Sequence, residues 1–445
     1  MLHRRKRVGV AVAAVATAST LVLANSPAKA DFSPQPDDVV TTGSDIIQNS
    51  FNFLADGYHE LPGYNTAGNR YRFVNFDSSG DAQGRSAFTD PSLVQYSWIY
   101  QGEVITEAEY NALSTAEKAN AVKYIKQGDI KLLNPTISLR SGQDLVVRPS
   151  GGGAGGITAL VNDKPDPVTG VGGWIDVGRT PNPPSDTQQN QANTNLGSRL
   201  YRVQVAKDRQ LIAVSSDSYA PDTITAGDIL KIYSGQITTW SQLSNYSGPH
   251  GAETIIPLIL PTDAGMWTTF VTNVKKQNSL SSDPDLRANP NRIQVQQNDP
   301  SSITGLTAAQ RPNAIVPFPR GRYKTLLAGY YTDPTTTNAY NLPGHRTKLL
   351  ADGIKLLDLD STQDVISDSA PYGGDFAYNA IFRASDLAST TPWQPGSTLN
   401  WVEALFYNPD GPAPFVKTDA GKALLEAAGV TPEYHVWDGN NAQLQ

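Results

Sequence analysis

The chain of 445 residues contains no cysteine and only two methionines. The missing cysteine excludes disulfides, thiolate metal centres, a thiol nucleophile and the cysteine that carries a bacterial lipoprotein anchor. Histidine is scarce as well. Beyond His3, the four others, His59, His250, His345 and His435, are scattered without ligand-like spacing, and neither H-E-x-x-H nor G-x-S-x-G occurs. No metal site, cofactor site or catalytic residue is therefore expected. Carboxylates are abundant, but an acidic chain offers many accidental pairs and none singles out a glycosidase dyad. Positive charge is also short, with 35 Lys and Arg against 42 Asp and Glu. Nucleic acid is not expected as a partner for such a balance, because that affinity comes mostly from Lys and Arg neutralising phosphates.

Long apolar runs are absent after the first thirty residues, so no segment approaches the roughly 20 residues needed to span a bilayer. The one run that exists, Val8 to Leu23, follows the basic cluster His3-Arg4-Arg5-Lys6-Arg7 and precedes Ala28-Lys29-Ala30. Together these read as a secretion signal over residues 1–30, cleaved after Ala30. Arg4-Arg5 leaves twin-arginine export open beside general secretion. Cleavage would leave thirty basic against 42 acidic residues, a net charge of −12. The polar end Trp437 to Gln445 has no hydrophobic sorting tail, so a soluble protein without a membrane anchor, extracellular or periplasmic, is expected.

A mature chain of this size implies about two domains. Residues 31–38 (DFSPQPDD) read as a flexible tether. Val39 to Ser44 then reads as a strand and turn, followed by a helix from Asp45 to Asp56 with Ser44 as N-cap and Ile47, Phe51 and Leu54 as its buried stripe. A second strand, turn and helix reads over Asp144 to Val147, Ser150 to Gly156 and Ile157 to Val161. A third strand, Gly173 to Val177, ends in the Pro-rich loop 178–186. Thr225 to Ser234 gives the clearest helix, with Thr225 and Asp228 as a capping pair and Gly235 as its stop. Between the first two units, 80–145 reads as an inserted subdomain holding two helices, Thr106 to Leu113 and Ser114 to Gln127. Strands alternating with helices argue for an α/β fold, whose ligands sit outside the carboxyl ends of the strands.

The glycine run at 151–156 admits three readings. Gly151, Gly153 and Gly156 match G-x-G-x-x-G, with Asp176 downstream at about the spacing of a ribose-binding acid, although a glycine run satisfies that pattern by chance. A P-loop would need lysine where Ile157 stands. An anion cradle, with backbone N–H groups at a helix N-terminus aimed at an oxyanion, is the third.

Several stretches, in order, resemble the phosphate-binding proteins of bacterial phosphate ABC transporters. These are Gly43-Ser44-Asp45-Ile46-Ile47-Gln48, Phe73 to Gly80 (FVNFDSSG), Arg148 to Gly155 (RPSGGGAG), Ile175 to Thr180 (IDVGRT), Ile224 to Trp240 (ITAGDILKIYSGQITTW), Asn313 to Phe318 (NAIVPF) and Thr418 to Pro432. The resemblance implies a two-lobed periplasmic-binding-protein fold, type II-like, with hinge strands and an insertion. Lobe I would comprise 39–214 plus 371–445, and lobe II 215–370. It also implies a small oxyanion, phosphate first, held between the lobes by Ser44, Asp45 and Ile46, by Ser150, Gly151 and Gly152, and by Arg179 and Thr180, with an ABC transporter permease as a partner. Plainer roles stand beside these: Ser44 as a helix cap alone, and Arg179 as a surface partner of Asp176.

The chain departs from the family where a G-S-G-T turn would supply hydroxyls. Here Ala264-Gly265-Met266-Trp267 stands instead, with Pro261 at the position of an arginine and Pro181 at that of an aspartate. Each missing donor costs roughly 1 to 3 kcal/mol when an anion is buried. An extracellular interaction protein that kept the fold but lost strong phosphate binding is therefore the alternative. Trp267 would close the cleft or serve as a buried anchor.

Overall fold

The computed structural model describes residues 38–58, 61–65, 72–75, 95–100, 103–105, 107–118, 122–127, 130–132, 155–163, 175–262, 264–295, 297–298, 300–327, 353–357 and 369–445. Among them the strands are β1 (Val39–Gly43), β2 (Gly57–Tyr58), β3 (Leu61–Pro62), β4 (Phe73–Asn75), β5 (Gln95–Tyr100), β6 (Glu103–Ile105), β7 (Val122–Gln127), β8 (Ile130–Leu132), β9 (Val177–Thr180), β10 (Leu200–Ser215), β11 (Ile256–Ile259), β12 (Ile293–Gln294), β13 (Ala314–Pro319), β14 (Ile354–Leu356), β15 (Gly374–Arg383) and β16 (Thr431–Trp437). The main sheet has the order β12-β11-β13-β10-β15-β9-β1-β4, with β14 and β16 also paired to β10.

At one end β1 lies parallel to β4 and β9, and at the other β11 lies parallel to β12 and β13. Between these two parallel groups run the long antiparallel strands β10 and β15. The first part of β10 pairs with β15 and β16, and its last residues with β13 and β14. This single strand therefore belongs to both halves of a two-lobed α/β fold. A register shift between Gln204 and Ala206 inserts one residue and flips the alternation. Beyond it, Lys207 and Arg209 share one face of the sheet and Asp208 the other.

The helix Asp45–Asp56 forms where the apolar spacing predicts, and Ile47, Phe51 and Leu54 are completely buried. The Phe51 ring sits 5.7 Å from Phe73 and 6.3 Å from Phe406, tying this helix to β4 and to the C-terminal segment. The helix Ala226–Tyr233 carries the expected cap, with the Thr225 hydroxyl accepting from Asp228 N at 3.0 Å. Thr225→Ala should lower stability by about 1 kcal/mol. Urea unfolding with a shifted midpoint and unchanged slope would show it.

The 80–145 region differs from expectation. Its described part is a four-stranded antiparallel sheet, β6-β5-β7-β8, with short helices at Glu107–Ala112 and Thr115–Lys118. Of the predicted helix over 114–127, the described residues are helical at Thr115–Lys118 and extended at Val122–Gln127. Ser114 and Glu117 do form the capping pair, with Ser114 N donating to Glu117 Oε2 at 2.8 Å. Beyond it Val122, Tyr124 and Ile125 favour an extended chain, and that segment pairs antiparallel with β5. Asp38, the last residue of the expected tether, is buried and paired with Arg72 at 2.6 Å. The expected strand 144–147 lies outside the described residues.

Candidate functional site

The site begins at the carboxyl end of β1. Gly43 has φ of +127°, and a Cβ there would fall 2.2 Å from Arg179 O, so only glycine fits. A Cβ on Gly156 would meet Thr42 O at 2.8 Å, and one on Gly178 would meet Gly156 O at 2.8 Å. These three glycines let the backbone of the helix Gly155–Asn162 lie directly on β1 and β9. The exit of the glycine run is thereby brought beside the Gly43-Ser44 turn. Ser150, Gly151 and Gly152 themselves lie outside the described residues.

Ser44 occupies the N-cap position of the helix Asp45–Asp56, yet its hydroxyl makes no capping bond. Its backbone N donates to Arg179 O at 3.0 Å. Arg179 is wholly buried, and its side chain curls back on the same turn. Nε donates to Ser44 O at 2.8 Å, one terminal nitrogen to Gly43 O at 3.1 Å, and the other to Asn75 Oδ1. Arg179 thus braces the first loop from behind. Asp176 is not its partner: Asp176 pairs with Arg383 at 2.7 Å and accepts from Val40 N at 2.9 Å. Thr180 is buried one residue on, with Oγ1 accepting from Asn182 N at 3.0 Å. Ser44, Asp45, Ile46, Arg179 and Thr180 therefore cluster where β1 and β9 end together.

Asp45 looks across the fold. Gln297 Nε2 donates to its Oδ1 at 2.7 Å, from the segment just after β12, next to Asn298 in the left-handed region at φ 58°. Burial pushes the Asp45 carboxyl up to about 7, while the amides of Asn298 and Gln297, the Ile46 N–H and the Arg179 charge pull it down. A carboxyl titrating near neutrality at a helix N-terminus can accept a proton-bearing ligand or hold the proton itself.

Sequence reasoning missed the residues facing this turn from elsewhere. Tyr378 on β15 has its hydroxyl 3.0 Å from Ile46 O and 3.2 Å from Asp208 Oδ2. Arg322, from the helix Arg320–Leu327, donates through Nε to Asn298 O at 3.3 Å. None lies in a glycine-rich or strand-end motif. The only signal for Asp208 was the charged stretch Lys207-Asp208-Arg209 between the apolar residues of β10.

The Ala264-Gly265-Met266-Trp267 turn starts the helix Gly265–Gln277 without any side-chain cap. Trp267 is a buried anchor, 5.3 Å from Phe270 and capped by the Arg287 guanidinium at 4.4 Å. A pocket of about 290 Å³ opens on the other face of β10, among Lys207, Lys276, Asn273, Asp375 and Glu433. Lys207 pairs there with Glu433 at 2.7 Å, and Arg209 with Asp375 at 2.8 Å, so these charges largely answer one another. Among the described residues, no group of His, Asp and Glu could hold a metal ion, and no helix is long and apolar enough to cross a membrane.

No curated protein matches the chain. Among solved structures, an ABC-type phosphate transport receptor from Vibrio cholerae is 15% identical, covering 64% of this chain and 87% of its own, with a TM-score of 0.35. A phosphate binding protein from Stenotrophomonas maltophilia is 13% identical over 62% of this chain and 81% of its own, with a TM-score of 0.35. Residues 131–316 match a family model described as a PBP superfamily domain. The match runs from the end of β8 into β13 and takes in the glycine run, β9 and β10.

Proposed function

We propose that the chain is a secreted solute-binding protein that captures phosphate or a related small oxyanion between its two lobes and performs no chemistry. Residues 1–30 are its signal, and an ABC transporter permease is the partner to which it would deliver. The observation that carries the reading is Asp45. Its carboxyl stands at the uncapped start of the helix Asp45–Asp56, beside the Arg179-braced turn, and meets Gln297 from the far side at 2.7 Å.

The chemistry follows from that placement. Backbone amides and the Ser44 hydroxyl at a helix N-terminus favour negative charge. Asp45 adds selectivity, since a carboxylate accepts a hydrogen bond from the P–OH of a hydrogen phosphate but repels an oxyanion that carries no proton. Closure around the ligand would bring the Gln297-Asn298 segment onto the Ser44-Asp45 turn by hinge motion of β10 and β15.

Asp45→Asn tests the selectivity. Against the wild type, it should weaken phosphate binding about tenfold and tighten sulfate, so that the preference for phosphate over sulfate falls by about a hundredfold. Competition titrations of both anions on both proteins at pH 7 would read this. An unchanged ratio would remove Asp45 from the site. The interaction-protein reading is favoured by one observation, the uncapped, hydroxyl-free Ala264-Trp267 turn, and it predicts no oxyanion binding by either protein.

A further inference from the structure

The buried Asp208 carboxyl shares a phenol that has one proton and two acceptors. Tyr378 has a single phenolic proton and two acceptors in reach, Ile46 O at 3.0 Å and Asp208 Oδ2 at 3.2 Å. Ile46 O can only accept. With Asp208 ionised the phenol divides its one proton between them; each contact becomes a full hydrogen bond when Asp208 Oδ2 carries a proton and donates it to the Tyr378 oxygen, leaving the phenol to donate to Ile46 O. The other carboxyl oxygen then accepts from Arg209 N at 2.7 Å and from Gly321 N at 2.9 Å, and the same Gly321 N–H lies 3.0 Å from Oδ2, so every group has a partner.

These partners come from opposite sides of the cleft. Ile46 lies in the first turn of the helix Asp45–Asp56, whereas Gly321 lies in the first turn of the helix Arg320–Leu327 that follows β13. Asp208 and Tyr378 sit on the two strands that run between the lobes, on the same face and diagonal in register, since Ala206 pairs with Tyr378 and Asp208 with Phe376. The contact with Gly321 is tight: a Cβ there would fall 2.8 Å from Asp208 Oδ2. We propose that Asp208 takes up one proton as the lobes close, and that the Asp208–Tyr378 pair positions the Ser44–Ile46 turn against the helix Arg320–Leu327 in a pH-dependent manner. This rests on the solute-binding reading for its purpose, but not for its test.

The charges facing the pair are few. Arg320 and Lys324 on the helix favour the ionised carboxylate, Arg322 faces Tyr378, and Asp45 disfavours further negative charge beside the phenol. Arg209 points to the other face and pairs with Asp375. Burial outweighs the cations and holds the Asp208 carboxyl at about 7 instead of its ordinary 3.8. The sign follows. A group whose closed-state pKa exceeds its open-state value favours closure fully below the open-state value, and that contribution is lost as pH rises to about 7. Opening would wet Asp208 and release the proton.

The absence of native cysteine makes the test clean. Gln191→Cys and Thr272→Cys, both exposed and one on each lobe, carry spin labels, and pulsed electron resonance measures their separation without any ligand. All proteins carry Asp45→Asn, which removes one other carboxyl titrating in the same range; Asp176, which burial also pushes up to about 7, is present in every protein and cancels in the comparison. The closed-to-open ratio should rise about twentyfold as pH falls from 7.5 to 5.5. Asp208→Asn, whose amide N–H can replace the carboxyl proton, should be closed and flat across that range, and Tyr378→Phe should lose most of the pH response. Infrared spectra supply a readout independent of the labels: the protonated-carboxyl absorption near pH 6 should lose the share of one carboxyl in Asp208→Asn, while that of Asp176 stays. Equal pH profiles in the presence and absence of Asp208, or carboxyl absorption left unchanged by its replacement, would overturn the proposal. Failure of the protein with Asp45 intact to bind anion, with these profiles as expected, would overturn only the solute-binding reading.

Discussion

Gly43→Ala should abolish anion binding and destabilise the fold by about 3 kcal/mol or more. The new methyl would stand 2.2 Å from Arg179 O and 2.9 Å from Gly156 Cα, both backbone atoms that cannot swing away, in a residue held at φ +127°. Relief requires separating β1 from β9 or lifting the helix Gly155–Asn162, and either opens the turn that carries Ser44 and Asp45. Gly197→Ala separates the effect of a left-handed backbone from that of crowding. Gly197 has φ of +63° with nothing within 4 Å of an added methyl, so it should lose only about 1 kcal/mol and keep its binding. Urea unfolding beside anion titration of both variants gives the comparison. Similar losses in the two would show that the crowding around Gly43 is not what holds the site.

Removal of the buried guanidinium should come next in size. Arg179→Met leaves Gly43 O, Ser44 O and Asn75 Oδ1 facing an apolar side chain at the centre of the site. Each deserted acceptor costs roughly 1 to 3 kcal/mol, so a loss of about 3 to 5 kcal/mol is expected after partial relaxation. Arg179→Lys should recover less than half of it, because one compact ammonium cannot replace a planar fork that reaches three acceptors. Calorimetric or denaturant unfolding of the three proteins would establish the order. A loss below about 1 kcal/mol in Arg179→Met would mean that the turn is held by its glycine packing alone.

The parts of this fold that could be read from the sequence are those fixed by local chemistry. Ile47, Phe51 and Leu54 repeat at helical spacing, so the helix Asp45–Asp56 and its buried face followed directly. Thr225 and Asp228 marked a helix start because capping is a contact between neighbours. The stretch 114–127 failed for the complementary reason: the Ser114–Glu117 cap signals only one turn, and the fate of Val122 to Gln127 was decided by pairing with β5, which local spacing does not encode. The site divides along the same line. Ser44, Arg179 and Thr180 were named through the resemblance of the stretches 43–48 and 175–180, while the strand expected over Gly173 to Val177 runs instead from Val177 to Thr180. The role of Arg179 was not legible, since its acceptors Gly43 O and Ser44 O are more than a hundred positions away and are backbone atoms. Gln297, Arg322, Asp208 and Tyr378 reach the turn only through the crossing of β10 and β15. No spacing along the chain announces that crossing.

The central claim, capture of a small oxyanion at the Ser44-Asp45 turn, is tested most directly by calorimetric titration of phosphate into residues 31–445 after bound anion has been stripped by partial unfolding and refolding. A single site of micromolar or tighter affinity, equivalent to about −8 kcal/mol or stronger, is the predicted result. Absence of heat from phosphate, sulfate and sugar phosphates in a protein shown to be folded would contradict it.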